Sequence, residues 1–181
     1  MERIVLKRTI IIGIVAVAIL VVAVAAYAYD MYGSGTLQIE ITDPPTGWGV
    51  VTQVYVYYSS VEVHRSSAGN QSGWSTVVGT SAWISLIQIL NLNKTLGSGG
   101  LQAGTYDIIR FDNPTAIVTI GIDHNRTATF ENGQLEGLIV QGGGLQMNAG
   151  KTSQLLVELS VTVNFTINGT ILDPTVRAVP I

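Results

Sequence analysis

The chain has 181 residues, 47% hydrophobic and only 12% charged, with a formal net charge of -3 and no cysteine. That length leaves room for one domain plus a small extra segment, and an apolar, charge-poor chain is not a disordered one. The missing cysteines exclude disulfides and thiolate chemistry, and six basic against eleven acidic residues after Ala28 exclude a phosphate-backbone partner, so no nucleic acid is expected.

Residues 1–8 form a basic tail, with Arg3, Lys7 and Arg8 against Glu2. Thr9 to Ala28 then reads TIIIGIVAVAILVVAVAAYA, without a charge. Twenty helical residues span roughly 30 Å, the thickness of a bilayer's hydrocarbon core. Basic residues before the run and Asp30 after it predict a cytoplasmic N-terminus and an exported remainder. Residues 9–28 therefore read as a transmembrane helix. A signal peptide cut after the small-x-small motif Ala26-Tyr27-Ala28 is the other reading. Both place residues 36–181 outside the cell, behind a flexible linker at 29–35 around Gly33-Ser34-Gly35.

Thr36–Thr42 alternates strictly, with Leu37, Ile39 and Ile41 facing one way, and predicts a half-buried strand. Asp43-Pro44-Pro45 and Gly47-Trp48-Gly49 break it. Val50–His64 predicts one long strand with a bulge at Ser59-Ser60. A loop at Ser66–Gly73 and a strand at Trp74–Val78 follow, and Trp83–Leu92 suits a short strand or a helical turn. Leu96–Gly104 reads as a glycine-rich loop. Strands are expected at Thr105–Phe111, Ala116–Ile122, Thr127–Phe130 and Leu135–Val140, with turns at Asp112-Asn113-Pro114 and Asn132-Gly133. Gly142-Gly143-Gly144 opens a loop without phosphate-cradle context. Gln154–Asn168 reads as a strand pair, and Ile171–Val179 closes the chain. Strands every 8–12 residues with turn residues between them predict an all-β fold. The expected form is a Greek-key β-sandwich, immunoglobulin-like or prealbumin-like, preceded by one N-terminal helix.

The acceptor pattern Asn-x-Ser/Thr occurs at Asn70, Asn93, Asn125, Asn164 and Asn168, while Pro114 disqualifies Asn113. Such an excess agrees with export and predicts a glycoprotein in a host with N-glycosylation, as in eukaryotes and many archaea.

Gly35-Thr36-Leu37-Gln38-Ile39-Glu40-Ile41-Thr42-Asp43-Pro44-Pro45 resembles the opening strand and T-D-x-P turn of a prokaryotic surface-domain family. Val54-Tyr55-Val56, Val61-Glu62-Val63-His64 and Gly73-Trp74 continue the resemblance. So do Leu101-Gln102-Ala103-Gly104-Thr105-Tyr106-Asp107-Ile108-Ile109-Arg110 and the closing Leu172-Asp173-Pro174-Thr175-Val176-Arg177. The family is domain of unknown function 4382. The resemblance implies an exported bacterial or archaeal β-domain, often held behind a lipoprotein signal or a membrane segment. This chain has no cysteine for a lipid, so here anchoring falls to the helix.

Catalytic constellations are not evident. His64 and His124 are the only histidines and have no ligand-spaced neighbours. Asp107, Asp112 and Asp123 do not follow a calcium-loop spacing, and no Gly-x-Ser-x-Gly elbow is present. No enzyme activity, metal or cofactor is expected. Of the aromatics Trp48, Trp74, Trp83, Tyr55, Tyr57, Tyr58 and Tyr106, Trp48 in its glycine-flanked loop is the candidate ligand contact, the others being expected in the core. The expected function is a non-catalytic surface module whose partners are the membrane and other surface proteins, glycans or copies of itself. The alternatives are a filament subunit donating the Leu37–Ile41 strand and a carbohydrate-binding module.

Overall fold

The computed structural model describes residues 2–43, 47–69, 72–140 and 143–181, with the side chains of 2–12, 30 and 31 outside that description. Among the described residues one α-helix, α1 (Glu2–Tyr32), precedes thirteen strands. In the order of the chain they are β1 (Ser34–Thr42), β2 (Val51–Tyr58), β3 (Ser60–Arg65), β4 (Trp74–Val78), β5 (Ala82–Ser85), β6 (Lys94–Gln102) and β7 (Gly104–Asp112). Then come β8 (Thr115–Ile120), β9 (His124–Phe130), β10 (Glu136–Ile139), β11 (Leu145–Met147), β12 (Thr152–Thr166) and β13 (Gly169–Pro180). The protein is all-β behind one N-terminal helix.

From Gly13 to Tyr29, helix α1 carries apolar side chains on every side. Ile14, Val17, Ile19, Leu20, Val22 and Val24 are all exposed, and the β-domain covers none of them. Among the described residues no helix is long and apolar enough to cross a membrane, and those side chains begin only at Gly13, four residues into the charge-free run. The segment expected as a linker holds the end of the helix and the start of the first strand. The helix continues to Tyr32, the Gly33 amide donates to the Tyr29 carbonyl at 2.7 Å, and β1 starts at Ser34. Ala103 and Gly150 then donate their amides to the Gly33 and Ser34 carbonyls.

The organising element is the long β12–β13 hairpin, paired from Leu155↔Pro180 to Thr166↔Gly169. The expected strand pair at 154–168 is therefore a single strand of fifteen residues, which spans about 50 Å. Along its other edge β12 pairs with β1 in parallel, and β1 pairs with β6. The outer edge of β13 is shared. Thr170–Leu172 pairs with β9 and Arg177–Ala178 with β10, both in parallel. Pro174, which has no N–H to offer a ladder, falls between those two contacts. Two arms thus leave the hairpin. The first is β10–β7–β3–β4 and the second is β9–β8–β2–β5. The parallel ladders are a feature that strand alternation alone did not announce.

Two expectations are corrected here. Val50–His64 is two strands rather than one bulged strand, since the chain crosses at Ser59 from β2 in the second arm to β3 in the first. Ser59 is held there by its amide and hydroxyl, both donating to the Asp112 carbonyl. The 96–104 segment is not a loop, because Lys94–Gln102 is β6. Two of its glycines are a packing requirement. A Cβ at Gly99 would collide with the Val77 carbonyl of β4, and one at Gly97 would crowd the Val78 side chain. Trp83–Leu92 resolves as both alternatives, β5 followed by a 3-10 turn at Leu86–Ile89.

Both arms close on one core. Leu37, Ile39 and Ile41 of β1 meet Val54 and Val56 of β2, Val61 and Val63 of β3, Ile109 of β7, and Leu155, Val157 and Leu159 of β12, all fully buried. Each such side chain stabilises the fold by about 1.5–3 kcal/mol. Helix α1 enters where β12 begins, since Thr36 lies opposite Thr152. The Ile167-Asn168 tip of the hairpin is consequently the far end of the domain.

Candidate functional site

The two arms present different outer faces. On the first, Glu62 and His64 of β3 lie opposite Arg110 and Ile108 of β7, and His64 opposite Trp74 of β4. Arg110 donates Nε and Nη2 to Glu62 Oε2 at 2.9 and 2.7 Å, and its guanidinium lies 3.9 Å from the Trp74 ring centre. The other side of this cluster is His64, 5.1 Å from Trp74 between ring centres. Its Nδ1 meets Asp107 Oδ1 at 2.9 Å and its Nε2 meets the Gly69 carbonyl at 3.4 Å. Both partners are acceptors, so the imidazole satisfies both only when it carries both protons. The hydrogen bond to Asp107 accordingly holds its pKa above the usual histidine value, against the burial that lowers it, with the Gly69 carbonyl helping to raise it.

The outer face of the second arm is different chemistry. Tyr57 of β2 lies opposite Trp83 of β5 and Thr115 of β8, while Tyr55 lies opposite Ser85 and Ile117. Paired residues share a face, and the face continues through Thr119↔Asn125 and Ile117↔Thr127 onto β9. It reaches Asn164 of β12 through Thr129↔Ile171↔Asn164. Tyr57 and Trp83 contact each other with ring centres 5.3 Å apart, and Trp83 remains 48% and Tyr55 38% exposed. None of these residues is charged.

A third place is the far end of β1. Asp43 is fully buried, and neither carboxylate oxygen has a hydrogen-bond partner among the described residues. Its backbone is tied to the strand-to-β6 connection, with the Asp43 amide donating to Ile89 and the Asn91 amide to the Asp43 carbonyl. Burial without a partner pushes its pKa up to about 6. Nearby, Trp48, Val51, Thr52, Ile87 and Leu90 line a cleft of about 410 Å³.

Trp48 is half-buried rather than freely exposed. Its ring packs against the core and its Nε1 donates to the Val161 carbonyl at 3.0 Å, leaving one side of the ring to the cleft. Of the other aromatics, Tyr58 and Tyr106 are core residues and Trp74 is taken up by His64 and Arg110. Asn93, Asn125, Asn164 and Asn168 are exposed, and Asn70 lies outside the described residues. Asn93 donates Nδ2 to Glu40 at 3.4 Å. Asn125 accepts at Oδ1 from the Thr119 hydroxyl at 2.8 Å. His124 is solvent-exposed in β9 beside Asp123. Asp107, Asp112 and Asp123 are not brought together: the first pairs with His64, the second caps the β7–β8 turn with Ser59 and Asn113, and the third sits in the β8–β9 turn. Among the described residues no three His, Asp or Glu side chains converge on one point. Trp83 and Tyr55, expected in the core, are instead exposed on the outer face of the second arm, and the pairing of His64 with Asp107 was not singled out from the sequence. The alternation Glu62-Val63-His64 places both polar residues on one face, but which strand covers them depends on register.

No curated protein and no solved structure matches this chain. A family model does, over residues 34–174, from the first residue of β1 into β13. The match covers the strands of both arms and leaves out only the helix and the end of the closing strand, and by it the chain belongs to the domain of unknown function family DUF4382.

Proposed function

We propose that this protein is a non-catalytic cell-surface module: a β-domain anchored in the membrane by α1, N-glycosylated, and serving as a structural or interaction element of the surface. The observation that carries the reading is α1 itself. From Ile14 to Val24 its apolar side chains cover the whole circumference and stand free of the domain, as at Ile19 (65% exposed) and Leu20 (66%). A helix hydrophobic all round is stable only when something apolar surrounds it, and lipid is the environment in which its backbone needs no further partner. The charge-free run starts at Thr9 and the basic residues precede it, which supports an outward-facing domain. Exposure of the four described acceptor asparagines supports glycosylation in a host that performs it, an archaeon above all.

Strand donation to a neighbouring copy has less support. β1 is already paired on both edges within its own chain, and Leu37, Ile39 and Ile41 fill its own core. Treating intact cells with protease should release the β-domain while α1 stays in the membrane fraction. A domain fully protected until the cells are lysed would overturn the surface reading.

A further inference from the structure

We infer that the uncharged outer face of the second arm is the seat of a neutral sugar chain, and that its occupant is the N-linked glycan carried by Asn125 of the same molecule. The inference rests on the reading that the domain is exported and glycosylated. Pyranose rings offer an apolar C–H face and a rim of hydroxyls. The matching surface is an exposed aromatic ring flanked by uncharged donors and acceptors. Tyr55, Tyr57 and Trp83 supply the rings, and the Thr115 and Thr119 hydroxyls supply the rim, while Gln53 and the buried Ser85 are bonded to each other beneath it. The first arm has no such surface, because its tryptophan is sandwiched between Arg110 and His64.

What identifies the occupant is the position of Asn125. It lies on that same face, opposite Thr119, which lies opposite Gln53, two residues before Tyr55. Two strand spacings across and two residues along place Tyr55 about 12 Å from Asn125, within reach of the first few sugars of an N-linked chain. The Thr119 hydroxyl fixes the amide by donating to Oδ1, and among the described residues no protein group engages Nδ2, the atom to which the sugar is joined. The other described acceptors are placed less well. Asn93 is directed at Glu40, Asn168 sits at the hairpin tip, and Asn164 is two strands further from the rings. Tethering also lets a weak stacking contact be occupied, since a short flexible link gives an effective concentration in the millimolar range.

The test uses the full-length protein purified from membranes of its own host. Peptide mass reports whether Asn125 carries sugar. Tryptophan emission and its quenching by iodide are compared among the wild type, Thr127→Val and Asn125→Gln, both of which remove the acceptor site, and the same set on a Trp83→Phe background. The expected result is an occupied Asn125, and a red shift with stronger quenching once either substitution removes the sugar. That change should vanish when residue 83 is phenylalanine. An occupied Asn125 whose loss leaves emission and quenching unchanged overturns the inference. So does binding of the wild type to an immobilised neutral polysaccharide as strong as that of Thr127→Val, because the face would then be open to external sugar with its own glycan in place. A bare Asn125 on a domain that protease still releases from cells overturns it too, while the surface reading stands.

Discussion

The two arms share a hairpin, a core and a strand alternation, yet their outer faces have little in common. On the first arm the charges around Trp74 are paired with each other, Glu62 with Arg110 and His64 with Asp107. The second arm offers hydroxyls and the rings of Tyr55, Tyr57 and Trp83, and among the described residues nothing covers Tyr55 and Trp83. The inward half of a strand pattern is dictated by the core, so it repeats in both arms. The outward half is free to differ, and it separates a face that satisfies itself from one left for something else.

The comparison supposes that each arm is held to the hairpin by its own parallel contact, and a pair of glycine substitutions tests this most severely. Gly137 in β10 lies against β13, where a Cβ would collide with the Val176 carbonyl. Gly137→Ala should force β10 off the hairpin and destabilise the protein by about 3 kcal/mol or more, at the upper end for overpacking. Gly121, in the β8–β9 turn of the second arm, has φ +64 but open space around it. Gly121→Ala should cost only about 1 kcal/mol, the strain of a left-handed alanine. Urea midpoints measure both. Equal losses would mean that the first arm is not secured through β10.

Two buried groups also titrate, one at the far end of β1 and one in the first arm, and both act in the same direction over different pH windows. Asp43, packed against the connection that leaves β5, has its folded pKa raised to about 6 from 3.8 by burial. The folded state therefore holds this proton more tightly than the unfolded chain. Stability is greatest below about pH 4 and falls by on the order of 3 kcal/mol as pH rises to about 6, beyond which it is flat. Asp43→Asn should remove that slope. In the first arm, His64 has a folded pKa above 6.5 because of its hydrogen bond to Asp107. Its contribution is complete below pH 6.5 and is lost as pH rises through the raised value. Asp107→Asn should cost about 1 kcal/mol at pH 6 and little in alkali. Melting temperature measured across pH 3 to 10 separates the two steps, and a wild type equally stable from pH 3 to 6 would remove the Asp43 account.

How much of this the residues announce depends on whether the signal is local. Leu37-Gln38-Ile39-Glu40-Ile41 gives β1 directly, because period-two burial is written in neighbouring positions. The Gly97–Gly100 stretch misleads, because glycine usually marks a loop, whereas in β6 it makes room for β4, a neighbour distant in the chain. Ser59 reads as a bulge because both flanking runs alternate, and nothing local says that they belong to different arms. The asparagine acceptors are legible one by one. The aromatic face is not, since Tyr57 meets Trp83 and Tyr55 approaches Asn125 only through the pairings of β2, β5, β8 and β9. Trp48 looks free in its glycine-flanked loop, and its tie to Val161 spans 113 positions.

The smallest expected difference is the one that bears most directly on what the second face is for. Arg110→Lys keeps the positive charge but loses the planar fork that reaches Glu62 through two nitrogens, and the flat surface 3.9 Å from the Trp74 ring centre. Partial exposure limits the loss to about 0.5–1 kcal/mol. Trp83→Phe, by contrast, removes part of a ring that is half in solvent and touches Tyr57 on one side. In protein whose Asn125 carries no sugar it should change stability by less than about 0.5 kcal/mol. Thermal unfolding of the two variants in that background makes the comparison like for like. If Trp83→Phe costs as much as Arg110→Lys there, Trp83 and Tyr57 are serving the fold, and the contrast between a satisfied face and a vacant one fails at its most exposed residues.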